Sequence, residues 1–596
     1  MPDLGAAPIV ADLVAERARA ADVAAGRAPA DAIVAGATVV DVYARGTRRA
    51  DVAIAGGRIA AVGDVGHCVD ASTRRYDCDD LYVLPGLIEP HFHVGFSQVS
   101  IERLAELLVP MGTIALSGCF SESASIVGGA VVEEQLERLA GSGLDVLLSP
   151  FYASALGPCI GSYGREELLA LVADERCVEV REWSDGAARN LPDGLDEVWA
   201  EGLRRGRAIA GHMASQTGPA LQASVARGVR SDHETVTAAE AVERARLGVT
   251  VQMREGSALR DMDALLPAIV DDGADPDMFS FCSDEQELHD LVERGHIDGK
   301  LRMAVERGVD PIEAVRMATL NAARSMGLDA DYGSVTPGRL ASLALVEDLS
   351  DARVQMTFSR GRLMAERGRY LGDAAASSYP PEWSDTVHVR GPLAMRDFAV
   401  DIADGDAQPV RVVGIAPGSA VSEELHETVR VESGRVVGAP GLAKLAMIDR
   451  HEASGRIGVG LARGLGIESG AFAATINAGA FNLMVAGVDD EAMAIAANRA
   501  AELGGGIVVA RDGAVRAELA LPLFGIVSDA PLRDSVASAG RVARAMRDDL
   551  GSPVSGIVAV AGFACLASYP ALKVTDRGLV RTSPAGEREI VGVSVA

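Results

Sequence analysis

The chain has 596 residues, a formal net charge of −28 at pH 7, 48% hydrophobic residues and 23% charged residues. This is the composition of a folded globular protein, and it excludes a disordered or low-complexity chain. The excess of acidic side chains would repel a nucleic-acid backbone or an anionic membrane surface, so we expect neither of these partners. A small neutral or cationic molecule is the expected partner.

The cysteines and the apolar stretches bear on the compartment of the protein. Seven cysteines are scattered along the chain without a CxxC pair, so neither a disulfide framework nor a thiolate zinc site is predicted. The N-terminus shows no signal-peptide pattern, and the most apolar stretch, residues 556–568, is shorter than the roughly 20 residues that cross a bilayer. We expect a soluble, cytoplasmic protein without membrane association.

Residues 1–80 are predicted to form an amphipathic helix, over residues 8–28, followed by short strands joined by tight turns. One turn lies at Gly57, and a similar strand-turn-strand pattern returns far downstream at Gly361. We therefore expect residues 1–80 and 333–371 to form one discontinuous β module around the intervening segment.

Residues 81–332 contain eight short apolar strand candidates that alternate with helical stretches. This pattern is typical of a TIM-like (β/α)8 barrel, whose usual length is about 250 residues, and an open doubly wound sheet is the alternative. The last helix of this segment is predicted to have Asp310 as its N-cap and Pro311 as its first residue.

The remainder of the chain is predicted to be a separate unit. Residues 372–387 are small and polar and hold two consecutive prolines, which is typical of a linker. Residues 388–596 alternate strand and helix patterns and are predicted to form an α/β or α+β domain. The predicted fold class is thus α/β, with a barrel, a discontinuous β module and a C-terminal domain.

Histidine is scarce, and four of the ten histidines lie at or next to predicted strand ends within residues 81–332. His91 and His93 alternate along one strand, so both imidazoles can reach one metal ion at the carboxyl end of a barrel. A single histidine is more often a packing residue, but six matched strand ends favour a metal site. The candidate ligands are His91, His93, Glu182, His212, His233 and Asp284. Four histidines and two carboxylates suit one or two divalent ions such as Mn²⁺, Fe²⁺ or Zn²⁺.

These motifs follow a recognisable order. PGLIEPHFH is followed by GHMASQTG, SDHETVTAAEA, VTVQMREGSA and GSVTPGRLASLALV, and, beyond the predicted linker, by IDRHEASGRIGVGLARGLGI and LPLFGIVSD. Together they resemble the amidohydrolase superfamily and, more narrowly, the bacterial adenine deaminases. The resemblance covers nearly the whole chain.

The resemblance implies a barrel flanked by a β-sandwich, a metal-activated water and hydrolytic loss of ammonia from a purine. It implies that the six candidate ligands hold the metal, with Glu182 bridging two ions. Asp284 would act first as a general base and then as a general acid. Glu234 would either protonate a ring nitrogen of the substrate or orient His233.

Further residues are predicted to shape the substrate pocket. Arg254, Glu255 and Ser257 follow one strand candidate, and a buried structural ion pair is an equal interpretation for the first two. Phe96 and Phe120 lie in two loops where the sequence departs from the family pattern.

Three segments lack polar groups of the family. Val94-Gly95-Phe96-Ser97 stands where the family has Ile-Glu-Ser-Ser, and Gly118-Cys119-Phe120-Ser121-Glu122 stands where it has an Asp-Pro-His-Glu segment. Ala478-Gly479-Ala480-Phe481-Asn482 replaces both histidines of a His-Asp-x-His-Asn stretch. All candidate metal ligands are kept, so we expect a working metal centre behind a more apolar pocket.

The predicted function is metal-dependent deamination of adenine or a related aminated heterocycle, by a homo-oligomeric enzyme. A cyclic-amide hydrolase that uses the same centre is an alternative of the same chemistry. A non-catalytic metal-binding homologue is an alternative of a different class.

Overall fold

The computed structural model describes residues 13–151, 164–189, 196–373, 378–416, 418–433, 435–583 and 587–595. Residues 8–12 of the predicted N-terminal helix, residues 374–377 of the predicted linker and Cys159 lie outside the described residues. The described part of that helix, α1, spans Leu13–Ala24.

Seven short strands follow α1. They are β1 (Ala32–Ala35), β2 (Thr38–Asp41), β3 (Gly46–Arg49), β4 (Asp51–Ala55), β5 (Arg58–Gly63), β6 (Arg74–Asp77) and β7 (Tyr82–Pro85). Four of them form a sheet in the order β5-β4-β1-β6. The β4–β5 hairpin turns at Gly56 and Gly57, whose φ angles of +57° and +80° are readily adopted by glycine.

Eight parallel strands come next and carry the candidate ligands. They are β8 (Leu87–His93), β9 (Thr113–Cys119), β10 (Asp145–Leu148), β11 (Glu179–Trp183), β12 (Ala208–Gly211), β13 (Val229–Asp232), β14 (Thr250–Arg254) and β15 (Phe279–Cys282). They form a three-stranded sheet, β10-β9-β8, and a five-stranded sheet, β11-β12-β13-β14-β15. Parallel bridges join Leu148 to Cys177 and Phe92 to Asp284, so the two sheets meet at both of their edges.

Helices alternate with these strands, as the sequence pattern predicts for an α/β protein. They are α2 (Ile101–Leu108), α3 (Ser121–Val127), α4 (Val131–Glu137), α5 (Arg165–Ala173), α6 (Asp185–Arg189), α7 (Asp196–Arg204), α8 (Gly218–Ala226), α9 (Ala238–Arg246), α10 (Met262–Leu265), α11 (Pro267–Val270), α12 (Leu288–Arg294), α13 (Ile297–Glu306), α14 (Pro311–Ala318) and α15 (Leu320–Ser325). The predicted cap of α14 is confirmed, because the Asp310 side chain accepts hydrogen bonds from the N–H groups of Ile312 and Glu313.

Strands on both sides of this α/β segment share one sheet, as predicted. β16 (Leu343–Val346), β17 (Val354–Ser359), β18 (Arg362–Glu366) and β19 (Arg369–Tyr370) join the earlier strands in the order β19-β18-β17-β16-β7-β2-β3. Apolar side chains of this sheet and of the four-stranded sheet, such as Phe358 and Val52, lie in one buried cluster. Burial of that cluster stabilises the packing of the two sheets against each other.

The C-terminal part is built on a large sheet with few parallel pairs. Its strands are β20 (Gly405–Gly414), β21 (Glu423–Glu432), β22 (Arg435–Val437), β23 (Leu442–Ile448), β24 (Ile457–Arg463), β25 (Ala471–Ala474), β26 (Leu483–Gly487), β27 (Gly506–Arg511) and β28 (Ala514–Ala520), in the order β22-β21-β20-β24-β23-β26-β25-β27-β28. A second, three-stranded sheet holds β29 (Leu572–Thr575), β30 (Gly578–Thr582) and β31 (Arg588–Val591), and the helices are α16 (Asp490–Glu502), α17 (Leu532–Asp548) and α18 (Ile557–Phe563). Within the described residues, no helix combines the length and the apolar character needed to cross a membrane.

Candidate metal centre

The six predicted ligands converge at the carboxyl ends of the parallel strands. His91 and His93 lie on β8, Glu182 on β11, and His212 and His233 directly follow β12 and β13. Asp284 follows β15 by two residues. All six side chains thus lie on or just after parallel strands of the two sheets.

Glu182 lies at the centre of the group. Its Oε2 is 2.6 Å from His212 Nδ1, and its Oε1 is 3.4 Å from His91 Nε2 and 3.9 Å from His233 Nε2. One carboxylate thus faces three imidazoles.

Asp284 closes the other side of the group. Its Oδ1 is 3.3 Å from His93 Nε2 and 3.6 Å from His91 Nε2. The centroids of the His91 and His233 rings are 3.8 Å apart. The side chains around Glu182 and those around Asp284 therefore form one cluster.

Both carboxylates are held on strained backbone. Glu182 has a φ of +64° and Asp284 a φ of +61°, in the left-handed region that non-glycine residues seldom adopt. Such a conformation costs on the order of 1–3 kcal/mol and persists where the surrounding structure enforces it, commonly at functional sites. This backbone conformation directs both side chains into the same space at the strand ends.

The buried polar atoms of this group fit a bound cation. Within the described part of the chain, both ring nitrogens of His91, Nδ1 of His212 and of His233, and Oε1 of Glu182 have no hydrogen-bond partner. Leaving such a buried atom unsatisfied costs about 1–3 kcal/mol. Ligand atoms of His91, Glu182 and His233, and of His91, His93 and Asp284, lie within 4.8 Å of one another. A divalent ion beside Glu182 would satisfy one ring nitrogen of His91, Nδ1 of His212 and Oε1 of Glu182, and nitrogen and carboxylate donors suit Mn²⁺, Fe²⁺ or Zn²⁺.

The electrostatics favour ionised Glu182 and Glu234 beside protonated His212 and His233 in the metal-free protein, whereas burial and Arg181 hold the pKa of His91 well below its usual value. Burial opposes both charges, but His212 and His233 lower the pKa of Glu182 to about 2. Glu182 and Glu234 in turn raise the pKa of His212 to about 9 against the effect of burial. Because a ligating histidine must be unprotonated, metal binding to this group competes with protons and strengthens as the pH rises.

Arg254 is a buried cation that forms ion pairs with three carboxylates. Its Nη1 is 2.6 Å from Glu234 Oε1 and 3.1 Å from Asp284 Oδ2, and its Nε is 2.8 Å from Asp261 Oδ2. Burial disfavours the charge of Glu234, but Arg254 and His212 hold its pKa well below the usual range. The contacts favour the structural interpretation of Arg254, and they keep Glu234 an anion beside His233.

The other predicted pocket residues divide into two groups. Glu255 pairs with Arg294, and Ser257 Oγ accepts a hydrogen bond from the Glu287 N–H at 2.9 Å, so both side chains are engaged outside the ligand cluster. Phe96 is placed at the centre, with its ring 6.2 Å from that of His93.

A wall of aromatic rings continues from Phe96. Phe151 is 6.0 Å from the ring of His93, and Phe481, from the third segment that departs from the family pattern, is 6.4 Å from Phe96. Phe120 is buried immediately before α3. The expectation of apolar surroundings is met on this side of the cluster.

The sequence reasoning missed two residues that contact the ligands. Glu122 Oε1 lies 2.6 Å from His93 Nδ1, so the loop that lost polar groups keeps a carboxylate at the centre. Glu122 ends both the segment found here and the corresponding family segment, and this retained acid was the available signal. Tyr569 Oη lies 2.8 Å from His212 Nε2, 357 positions away in the chain, and no local pattern pointed to it.

Comparisons with known proteins agree with this architecture. The family profile described as adenine deaminase C-terminal domain matches residues 419–585, and the amidohydrolase family profile matches residues 167–364. Two curated adenine deaminases are similar over most of their length. The one from Clostridium botulinum is 32% identical over 87% of this chain and 88% of its own, and the one from Nitratidesulfovibrio vulgaris strain Hildenborough is 36% identical over 85% and 88%.

A solved structure of a beta-aspartyl dipeptidase from Fervidobacterium islandicum AW-1 aligns with 57% of this chain and 97% of its own, with 17% identity and a TM-score of 0.44. The two curated relatives match this chain at a higher identity and over a larger share of its length. The family predicted from the motifs is confirmed: the chain belongs to the adenine deaminase family of the amidohydrolases.

Proposed function

We propose that this protein is a metal-dependent hydrolase that removes the amino group of adenine, or of a related aminated heterocycle, as ammonia. The observation that carries the proposal is the convergence of four histidines and two strained carboxylates, with buried atoms of His91, Glu182, His212 and His233 that lack hydrogen-bond partners within the described residues. Membership of the adenine deaminase family supports the same reaction.

The proposal includes a TIM-like (β/α)8 barrel formed by β8–β15. The two parallel sheets and the bridges at both of their edges support a closed arrangement. The proposed domain boundaries are those of the sequence: residues 81–332 for the barrel, 1–80 and 333–371 for the β-sandwich, 372–387 for the linker and 388–596 for the C-terminal domain. A homo-oligomeric, cytoplasmic enzyme stays a prediction.

The proposed ligands of one or two divalent ions are His91, His93, Glu182, His212, His233 and Asp284. A divalent ion in this position would supply Lewis acidity, which lowers the pKa of a water molecule enough for hydroxide to form at neutral pH and attack. Manganese, iron and zinc all fit the donor set.

Asp284 is the proposed proton carrier. Its Oδ1 faces the two histidines of β8, so it can take the proton of the attacking water and return it to the leaving nitrogen. Its Oδ2 is held by Arg254, which fixes the carboxylate during both transfers. For Glu234 we propose the orienting role, because its pairing with Arg254 keeps it ionised.

The aromatic wall of Phe96, Phe151 and Phe481 suits one face of a flat heterocycle, since rings stack or meet edge to face at such distances. The two phenylalanines at positions 96 and 481 lie in segments where the family has polar residues. We therefore extend the proposed substrate class from adenine to related aminated rings.

The test is ammonia release from adenine by protein loaded with Mn²⁺. We expect turnover in the wild type and a loss of at least about 100-fold in Asp284→Asn, since a positioned general base contributes about 10²–10⁴-fold. Asp263→Asn, on an exposed aspartate that pairs with Arg307, is the matched control and should keep full activity.

Absence of ammonia release from metal-loaded wild-type protein, with adenine and with other aminated rings, would contradict the proposal. Ring opening of a cyclic amide under the same conditions would then establish the alternative hydrolase.

A further inference from the structure

The C-terminal part of the chain reaches the metal centre through one side chain. Tyr569 follows α18 and is 9% exposed. Its Oη lies 2.8 Å from His212 Nε2, and the two rings meet edge to face with centroids 5.6 Å apart. The segment just before α18 is also fixed nearby, since Arg260 Nη2 donates a hydrogen bond to Ser555 Oγ at 3.1 Å.

His212 is contacted at both ring nitrogens by different parts of the chain. Nδ1 faces Glu182 Oε2 at 2.6 Å, although no hydrogen bond of good geometry forms there. Nε2 faces Tyr569 Oη. The nitrogen on the Glu182 side is therefore the one placed among the other candidate ligands.

A neutral imidazole carries one proton, and a ligating nitrogen cannot carry it. Ligation through Nδ1 therefore puts the proton on Nε2, where it needs an acceptor. The phenol oxygen of Tyr569 is that acceptor, and it is uncharged. An uncharged acceptor is appropriate here, because Glu182, Glu234 and Asp284 already bring three carboxylates to the cluster.

We propose that Tyr569 is a positioning residue of the metal centre, which accepts the Nε2–H of His212 and so presents Nδ1 as the ligating nitrogen. This inference rests on the metal centre of the proposed function. Through Tyr569, the C-terminal part of the chain contributes directly to metal retention. Partners of this kind fix the tautomer and orientation of a ligating histidine, and their loss commonly weakens metal binding by about 10–100-fold.

The test compares Tyr569→Phe with Tyr370→Phe. The control tyrosine is partly buried and donates its hydroxyl hydrogen to the Ser142 carbonyl at 2.7 Å, in the seven-stranded sheet. Metal-free full-length proteins are loaded with Co²⁺, and the visible absorption spectrum and the rate of Co²⁺ transfer to a chelator are recorded. The unfolding midpoint of each metal-free protein is measured in parallel.

We expect Tyr569→Phe to lose Co²⁺ about 10–100-fold faster than the wild type and to show an altered spectrum, with an unchanged midpoint of the metal-free protein. Tyr370→Phe should match the wild type in release rate and spectrum. The same release rate and spectrum in Tyr569→Phe and wild type would overturn the inference, as would faster release explained by an equally lowered metal-free midpoint.

The inference and the proposed function fail in different ways. Wild-type protein that binds no Co²⁺ overturns the metal centre and this inference together. Wild-type protein that retains Co²⁺ but releases no ammonia from adenine refutes the proposed reaction alone, and faster loss of Co²⁺ from Tyr569→Phe would still support the role of Tyr569.

Discussion

His93 is held at both ring nitrogens by carboxylates of different elements. Asp284 faces its Nε2 at 3.3 Å, and Glu122 at the start of α3 lies 2.6 Å from its Nδ1. Burial opposes protonation of His93, but contacts with Cys119 and Glu122 raise its pKa well above the usual value. A carboxylate in this position orients a ligating histidine and makes it a stronger donor.

We expect Glu122→Gln to weaken metal retention by about 10–100-fold, because an amide is a weaker acceptor for the Nδ1–H of His93 than a carboxylate. Metal content after dialysis against a chelator measures the effect. The exposed Glu137 of α4 provides the matched control, Glu137→Gln. Equal metal content in both variants would show that Glu122 does not act on His93.

The convergence of the six candidate ligands was predictable from the sequence, whereas the contacts that support them were not. Alternation along β8 and the position of each histidine or carboxylate at a strand end follow from local patterns. The contacts of Glu122 and Tyr569 depend on loops brought together by the fold, and no spacing rule describes those.

At the scale of elements, the edge between β8 and β15 aligns the two ends of the ligand set. Glu89, fully buried, accepts the His91 N–H at 2.8 Å and the Ser283 N–H at 2.9 Å, one with each carboxylate oxygen. The Asp284 N–H donates to the His91 carbonyl at 2.9 Å. One carboxylate thus fixes the register between a histidine ligand and the strand that leads to Asp284.

Glu89→Gln should destabilise the protein by about 1–3 kcal/mol, because the amide nitrogen cannot accept one of the two buried N–H groups. The free energy of unfolding in urea measures the loss. Glu306→Gln, on an exposed residue of α13, should change it by less than about 0.5 kcal/mol. Indistinguishable free energies of unfolding for the two variants would mean that Glu89 does not stabilise the edge between β8 and β15.

The element pattern was predictable except where a tertiary contact intervenes. The stretch after Asp310 is predicted as one helix, but the structure divides it into α14 and α15 at Thr319, so that prediction is wrong in this detail. Asn321 donates from its side chain to the carbonyls of Pro276 and Phe279, both at 2.9 Å. The hydrophobic periodicity of the sequence does not predict this contact with a distant segment.

At the scale of the whole molecule, the C-terminal part packs closely on the segment that holds the centre. Gly556, the N-cap of α18 with a φ of +61°, lies so near to Ser257 that an added Cβ would be 2.6 Å from the Ser257 carbonyl oxygen. Tyr569 follows the same helix and contacts His212. The order of motifs predicted a C-terminal unit, but only the three-dimensional structure shows that it contacts a candidate metal ligand.

Gly556→Ala tests this close approach, and Gly513→Ala is its matched control. Gly513 has a φ of +73° in the β27–β28 turn, with open space where a Cβ would be placed. Both variants carry the strain of a left-handed alanine, roughly 1–2 kcal/mol. Only Gly556→Ala adds a backbone clash, so its free energy of unfolding should fall by about a further 1–3 kcal/mol. The clash should also shift the helix that leads to Tyr569, so Co²⁺ should leave Gly556→Ala faster than Gly513→Ala. Equal stability and equal Co²⁺ retention in the two variants would show that this contact does not couple the C-terminal part to the centre.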